Sequence, residues 1–190
     1  NATPTGRVLD LPRARSAFEL NEERNKAFAG RRADNAKPEH RDRLLQTVRE
    51  LIGARSVKDL PPPIVRKVDN GYVIEPDSGI QLPAILVGDA HSENLAVFLH
   101  GNGKRAAIES GEIDRVAKNM NAQVLAVDLR GLGETKKAGG IRVFDEMIGT
   151  DWKDTMTASL LGKSYVGMRA EDIWQVVRAW RIETGRMDLK

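Results

Sequence analysis

The strongest hydrophobic pattern in the chain runs from Leu95 to Gly133. Two apolar runs, Leu95–Leu99 and Val124–Val127, are continuous rather than alternating, which is typical of strands covered by helices on both faces. The segment between them, Ala106–Met120, places its apolar residues on one helical stripe. A strand, a helix of about four turns and a second strand predict a right-handed βαβ crossover between parallel strands.

Antiparallel strands are predicted before this unit. Asp69-Asn70-Gly71 has the composition of a tight hairpin turn and predicts a pair of strands across Ile64–Glu75. Leu82–Val87 predicts a further strand. The expected fold class is therefore α/β, with a mostly parallel sheet, an antiparallel start and an amino-terminal helical extension.

The amino-terminal extension is predicted to be helical. Phe18–Ala29 has helical composition, and His40–Ala54 has apolar residues at helical spacing. Pro61-Pro62-Pro63 then ends any helix before it. We therefore expect residues 1–60 to form an arm and a helical extension, and residues 61–190 to form the main domain.

After the central unit the pattern predicts a loop and two helices. Lys136–Gly140 is polar and rich in glycine, which indicates a mobile surface loop. Asp151–Leu161 and Met168–Thr184 both have helical spacing. Gly185 stands at the position where a helix commonly ends in a left-handed residue.

Composition excludes several classes of site. The chain has no cysteine, so disulfides, thiolate metal sites and a cysteine nucleophile are excluded. The sequence contains no run of about 18 apolar residues, so it predicts no membrane-spanning helix.

The net charge of +3 divides into +6 on residues 1–67 and −3 on residues 68–190. Arginine and glutamate are interleaved in the basic part as on a solvated helical surface, which disfavours a nucleic-acid partner.

The compartment is left open by the amino terminus. The chain begins Asn1-Ala2 without methionine, and no signal peptide is visible. Two origins are compatible with this start: export followed by removal of a signal peptide, or trimming of the amino terminus without export. The absence of cysteine is compatible with export but does not decide it.

Candidate chemistry lies where the two predicted parallel strands end. His100, Gly101, Asn102 and Gly103 follow the first strand, and Asp128–Gly133 follows the second. The carboxyl ends of parallel strands meet at one edge of a sheet, where active sites of such folds lie. Asp128 and Arg130 could bind substrate, although pairing with each other or with loop backbone is the favoured interpretation.

A phosphate-binding loop is a weaker interpretation of the same turn. Gly101-Asn102-Gly103-Lys104 resembles part of the pattern G-x-x-x-x-G-K-[ST], but Phe98 stands at the first glycine and Arg105 replaces Ser/Thr. The dinucleotide pattern G-x-G-x-x-G also fails, at Ala106. The sequence predicts no cofactor, and no cluster of His, Asp and Glu has metal-ligand spacing.

Three motifs resemble the α/β-hydrolase superfamily and its acetyl-xylan-esterase-like branch. VFLHGNGK and VLAVDLRGLGET resemble the third and fourth strands of that fold with their exits, and Leu160–Asp188 resembles a helix that precedes its fifth strand. The resemblance covers roughly Pro61–Lys190. It implies that the turn at His100–Gly103 supplies an oxyanion-hole N–H, from Gly101 or Asn102, and that Asp128 and Arg130 shape the same pocket.

The nucleophile of such a hydrolase is missing from the sequence. Its usual motif, G-x-S-x-G, does not occur; the nearest match, around Ser164, has the spacing G-x-S-x-x-G and follows no apolar strand. The resemblance therefore places the nucleophile, acid and base beyond Lys190. We expect the amino-terminal half of a serine-type carboxylesterase for a small ester or acetylated carbohydrate, inactive alone and completed by the same or a second chain. The alternative is a non-catalytic, hydrolase-like binding or assembly module.

Overall fold

The computed structural model describes residues 3–137, 142–149 and 151–185 of the chain. Its contacts divide the chain into two compact units, Asn1–Val48 and Arg49–Lys190. Most of the loop predicted at Lys136–Gly140 lies outside the described residues.

The first unit is helical, as the sequence predicts. Helix α1 begins after Ser16, whose hydroxyl accepts a hydrogen bond from the Glu19 N–H at 3.1 Å. The Glu19 carboxylate accepts the Ser16 N–H at 2.7 Å in return, which satisfies two free donors at the helix start. The helices of this unit are α1 (Ala17–Ala27), α2 (Ala29–Asn35) and α3 (Arg41–Ile52), the last of which continues into the second unit.

The second unit contains one five-stranded sheet and five helices in its described part. The strands are β1 (Ile64–Val68), β2 (Gly71–Glu75), β3 (Leu82–Val87), β4 (Asn94–Leu99) and β5 (Ala122–Val127). The helices are α4 (Lys104–Glu109), α5 (Glu112–Met120), α6 (Arg142–Ile148), α7 (Trp152–Leu160) and α8 (Tyr165–Thr184). The α/β class, the hairpin and the βαβ unit are therefore confirmed.

The expectation of a mostly parallel sheet is wrong for the described strands. The strand order is β1-β2-β3-β5-β4, and only β4 and β5 pair in parallel. The pairs β1/β2, β2/β3 and β3/β5 are antiparallel. Two parallel neighbouring strands need a long crossover connection between them. Among the described strands, only β4 and β5 are both neighbours and joined by such a connection. The turn at Asp69-Asn70, in contrast, is so short that it permits only an antiparallel hairpin.

The crossover between β4 and β5 contains two helices, although the sequence pattern predicts one. Helix α4 ends at Glu109 and α5 begins at Glu112. Gly111 between them has a φ of +69°, a left-handed conformation that interrupts an α-helix and that glycine adopts at little cost. The apolar stripe predicts the buried residues Ile113 and Ala117, but Met120 at its end is exposed, and the stripe does not predict the break.

The core lies on both faces of β5. Leu125 and Val127 pack with Val176 and Trp180 of α8 on one face. Val124 and Ala126 pack with the buried side of α4 and α5 on the other. The side chains of β4 are only partly buried, in contrast to the expectation of a strand buried on both faces, because β4 is an edge strand among the described elements. Among the residues that the structure describes, no helix is long and apolar enough to cross a bilayer.

Candidate functional site

The turn that follows β4 is closed by its own backbone. The Gly103 N–H donates to the His100 carbonyl at 2.9 Å, and Gly103 has a φ of +88°. A Cβ at Gly103 would lie 2.4 Å from the Cα of Gly133. The backbone conformation and this close approach both require glycine at position 103.

The imidazole of His100 is part of the same turn. Its Nδ1 accepts a hydrogen bond from the Asn102 N–H at 3.2 Å, so Nδ1 is unprotonated and the neutral ring carries its proton on Nε2. Nε2 lies 3.8 Å from the carboxylate of Glu112. The ring therefore fixes the conformation of the turn through the Asn102 N–H.

The two N–H groups proposed as oxyanion donors differ in availability. The Asn102 N–H is engaged by the His100 ring. The Gly101 N–H has no hydrogen-bond partner among the described residues, and Gly101 is exposed. A fixed backbone N–H that lacks a partner can stabilise negative charge that develops on a bound oxygen. Gly101 is therefore the donor that this turn leaves available.

Asp128 connects this turn to the exit of β5. Its buried carboxylate accepts the Lys104 N–H at 2.6 Å, the Lys104 Nζ at 2.8 Å and the Glu134 N–H at 2.9 Å. Lys104 is also buried and forms a second ion pair with Glu134. One carboxylate thus fixes the start of α4 and the loop after β5 relative to each other.

Both glycines of the Asp128–Gly133 segment are required by close packing. Gly133 has a φ of +52°, and a Cβ there would lie 2.3 Å from the Asp128 carboxylate. Gly131 has a φ of +73°, and a Cβ there would lie 2.5 Å from the hydroxyl of Tyr165. The glycine spacing in the sequence therefore reflects contacts with two different side chains.

Arg130 contacts α8 rather than Asp128. Its guanidinium donates to both carboxylate oxygens of Asp172, at 2.6 and 2.5 Å. Burial raises the pKa of Asp172, and the hydrogen bonds from Arg130 oppose that effect. The Arg169 guanidinium donates to the Arg130 carbonyl at 3.0 Å. Arg169 and Asp172 therefore tie the last helix to the loop after β5.

The candidate residues therefore fall into two groups. His100, Gly101, Asn102 and Gly103 form one turn, which Asp128 holds in place through Lys104. Arg130 instead lines a cavity of about 440 Å³ beside the exit of β5, together with Tyr165, Thr135 and Met168. Burial raises the pKa of Tyr165. Among the described residues, the lining of this cavity does not include the turn.

A cluster of ion pairs at Arg55 was not predicted from the sequence. The Arg55 backbone N–H and guanidinium donate to Glu171 at 2.6, 3.1 and 2.7 Å, and the guanidinium also reaches Asp77 at 2.9 Å. Burial acts to raise the pKa of Glu171, but the hydrogen bonds from Arg55 outweigh it and lower the pKa. Arg55 and Glu171 are 116 positions apart, so no local spacing could have indicated the contact.

Ser164 and Lys104 have structural contacts. Ser164 is the N-cap of α8, where its hydroxyl accepts the Gly167 N–H at 3.4 Å. Lys104, which a phosphate loop would direct at its ligand, is 4 % exposed and engaged by Asp128 and Glu134. Over the described ranges, no three His, Asp or Glu side chains are arranged to hold a metal ion.

Comparison with known proteins supports the fold alone. No family model matches the chain, and a search of curated proteins finds no match. Among solved structures, the chain is similar to a Bacteroides fragilis protein whose name assigns it provisionally to the acetyl xylan esterases. The TM-score is 0.55 at 12% sequence identity, over 76% of this chain and 43% of that protein. The likeness shows a hydrolase-like fold, and the chain spans less than half of the neighbour's length.

Proposed function

We propose that this chain is the amino-terminal part of a carboxylic-ester hydrolase resembling the acetyl xylan esterases. The observation that carries the proposal is the Gly101 N–H, which lacks a partner among the described residues at the carboxyl end of β4. Ester hydrolysis places negative charge on the former carbonyl oxygen in its transition state. One preorganised donor to that oxygen contributes about 3 kcal/mol.

The division of work between this chain and the rest of the enzyme follows from the proposal. A serine outside these 190 residues would attack the ester carbonyl, with its base and acid also outside. The Gly101 N–H would donate to the oxyanion, and the N–H of the residue after the nucleophile would supply the second donor. Asp128 and His100 would act as positioning residues, because they hold the backbone of the turn. The substrate class is a small ester or an acetylated carbohydrate.

The proposed enzyme also needs a partner for β4. The outer edge of this strand has no neighbouring strand among the described elements. An apolar groove of about 400 Å³ runs beside it, lined by Leu95, Val97, Ile173 and Trp180 among others. We assign this edge and groove to the remaining half of the hydrolase domain, in the same chain or a second one. The likeness to a longer protein, of which this chain covers only 43%, supports this assignment.

Two variants of the natural, full-length product test the oxyanion role. Gly101→Pro removes the N–H, whereas Gly101→Ala keeps it, and a Cβ at this position meets no atom within 4 Å. We expect the proline variant to lower kcat for a small acetyl ester by about 100-fold and the alanine variant to change it by less than about threefold. A thermal midpoint for each variant checks that both remain folded.

Labelling with a fluorophosphonate tests the reaction class independently. A serine hydrolase nucleophile reacts with this probe, so we expect the full-length product to be labelled. Absence of labelling, together with no turnover of acetyl esters, would support the alternative of a non-catalytic binding or assembly module. Equal losses of kcat in Gly101→Pro and Gly101→Ala would contradict the role of the Gly101 N–H as an oxyanion donor, even if the protein proved to be an esterase.

A further inference from the structure

A cavity of about 660 Å³ on a different part of the second unit is lined by basic side chains. It lies between α8 and the segment around residues 54–58. Four of its lining residues are cationic: Arg49, Arg55, Lys58 and Arg178. Glu171 is the one carboxylate in its lining over the described residues. The cavity therefore has a surplus of three positive charges, as large as the net charge of the whole chain.

Arg55 is paired with Glu171 and with Asp77, and the charges of the other three cations are not neutralised by described residues. Glu171 is already engaged by Arg55 through three hydrogen bonds. Arg178 donates to the Leu60 and Pro61 carbonyls at 3.2 Å each, which fixes its guanidinium with neutral acceptors. In the part of the chain that the structure describes, no carboxylate lies within ion-pair distance of Arg49, Lys58 or Arg178.

The same cavity has an aromatic wall. Trp174, which also lines the groove beside β4, lines this cavity and is 49% exposed. Ile52 and Ala170 are further apolar lining. A large, half-exposed indole beside several cations provides a surface on which a planar ring can pack. The lining thus combines a site for negative charge with a site for a ring.

We propose that this cavity binds a small organic phosphate that carries three or four negative charges and a planar ring. Guanidinium groups bind phosphate oxygens through paired hydrogen bonds, and the charge of such a ligand matches the surplus. The volume lies within the range of small-molecule sites. The site differs from the turn at Gly103, where Lys104 is engaged by Asp128. This inference does not rest on the proposed hydrolase function.

Calorimetric titration of the 190-residue chain at low salt tests the proposal, with ATP, inorganic tripolyphosphate and adenosine as probes. We expect saturable binding of ATP with a Kd below about 1 mM, weaker binding of tripolyphosphate and none of adenosine. Lys58→Gln and Arg49→Gln should each raise the Kd for ATP about three- to tenfold. Lys118→Gln, an exposed lysine outside this cavity, is the matched control and should leave the Kd unchanged.

The ring and the charges are tested separately. Trp174→Ala should weaken the binding of ATP but leave the binding of tripolyphosphate unchanged. The thermal midpoint of this variant checks that it remains folded. The proposal is overturned if ATP does not bind, or if Lys118→Gln weakens binding as much as Lys58→Gln. Binding that Trp174→Ala leaves intact for both phosphates would overturn the assignment of a ring-bearing ligand.

Discussion

The carboxylate of Asp128 lies 2.8 Å from the Nζ of Lys104, and both side chains are almost completely buried. Asp128→Asn keeps the shape of the side chain but removes the negative charge, which leaves a buried lysine with only the partly exposed Glu134. Breaking a buried ion pair in this way costs about 3–5 kcal/mol. We expect a loss of that size in the free energy of unfolding, measured by urea denaturation.

The control for this prediction is Glu134→Gln. The Glu134 side chain is 65% exposed, so its ion pair with the same lysine contributes about 1 kcal/mol or less. Similar losses in the two variants would mean that the Asp128–Lys104 contact does not organise the turn and the β5 exit.

Gly133→Ala is expected to be strongly destabilising for two separable reasons. The φ of +52° disfavours a side chain, and the new Cβ would overlap the Asp128 carboxylate. Gly79 has a φ of +80°, but a Cβ there would meet no atom within 4 Å, so Gly79→Ala measures the backbone effect alone, about 1 kcal/mol. We expect Gly133→Ala to lose at least about 2 kcal/mol more in a urea unfolding experiment. Equal losses would contradict the close contact.

The cluster at Arg55 predicts a pH-dependent contribution to stability. The pKa values of Asp77 and Glu171 are lowered in the folded protein, so the stabilisation is present above their unfolded values of 3.8 and 4.5. It is lost as the pH falls through the lowered folded values. Arg55→Gln should therefore reduce the free energy of unfolding by about 1–2 kcal/mol near neutral pH, since Arg55 is partly exposed and solvent screens the pair.

The same variant provides its own control at low pH. When both carboxylates are protonated, wild type and Arg55→Gln should differ little in stability. Chemical denaturation of both proteins at several pH values measures this difference directly. A difference that stays constant from neutral pH to about pH 2 would show that Arg55 acts through packing rather than through charge.

The tautomer of His100 is a further consequence of the turn. Because Nδ1 accepts the Asn102 N–H, the neutral ring should carry its proton on Nε2. Nitrogen-15 chemical shifts of the imidazole distinguish the two tautomers. A ring protonated on Nδ1 would contradict the hydrogen bond and would leave the Asn102 N–H as a second available donor.

The hydrophobic pattern predicted local elements better than it predicted their arrangement. Leu82–Val87 was predicted with the bounds that the structure shows, because a short apolar run bounded by turn residues is a local signal. The pairing of β3 with β5 was not visible, since it depends on which strands the chain brings together. The partial exposure of β4 depends on the same arrangement and was also missed.

The candidate site shows the same limit. The sequence predicted the turn at His100–Gly103 and the strand exit at Asp128–Gly133. Both contain glycine because a left-handed backbone selects glycine locally. The partners of Arg130 and Arg55 were missed because they lie far away in sequence. Lys104 was considered as a phosphate ligand, whereas its burial beside Asp128 is a property of the folded chain.

Ser164 provides the last prediction, which concerns activity. Its hydroxyl caps α8, so Ser164→Ala should lower the free energy of unfolding by about 1 kcal/mol. The 190-residue chain should not hydrolyse p-nitrophenyl acetate above background, and Ser164→Ala should leave that rate unchanged. Clear turnover that this substitution abolishes would make Ser164 a nucleophile and would overturn the proposal that the catalytic residues lie outside these residues. Turnover that survives it would point to a contaminating esterase or to a different nucleophile, which fluorophosphonate labelling and mass spectrometry would distinguish.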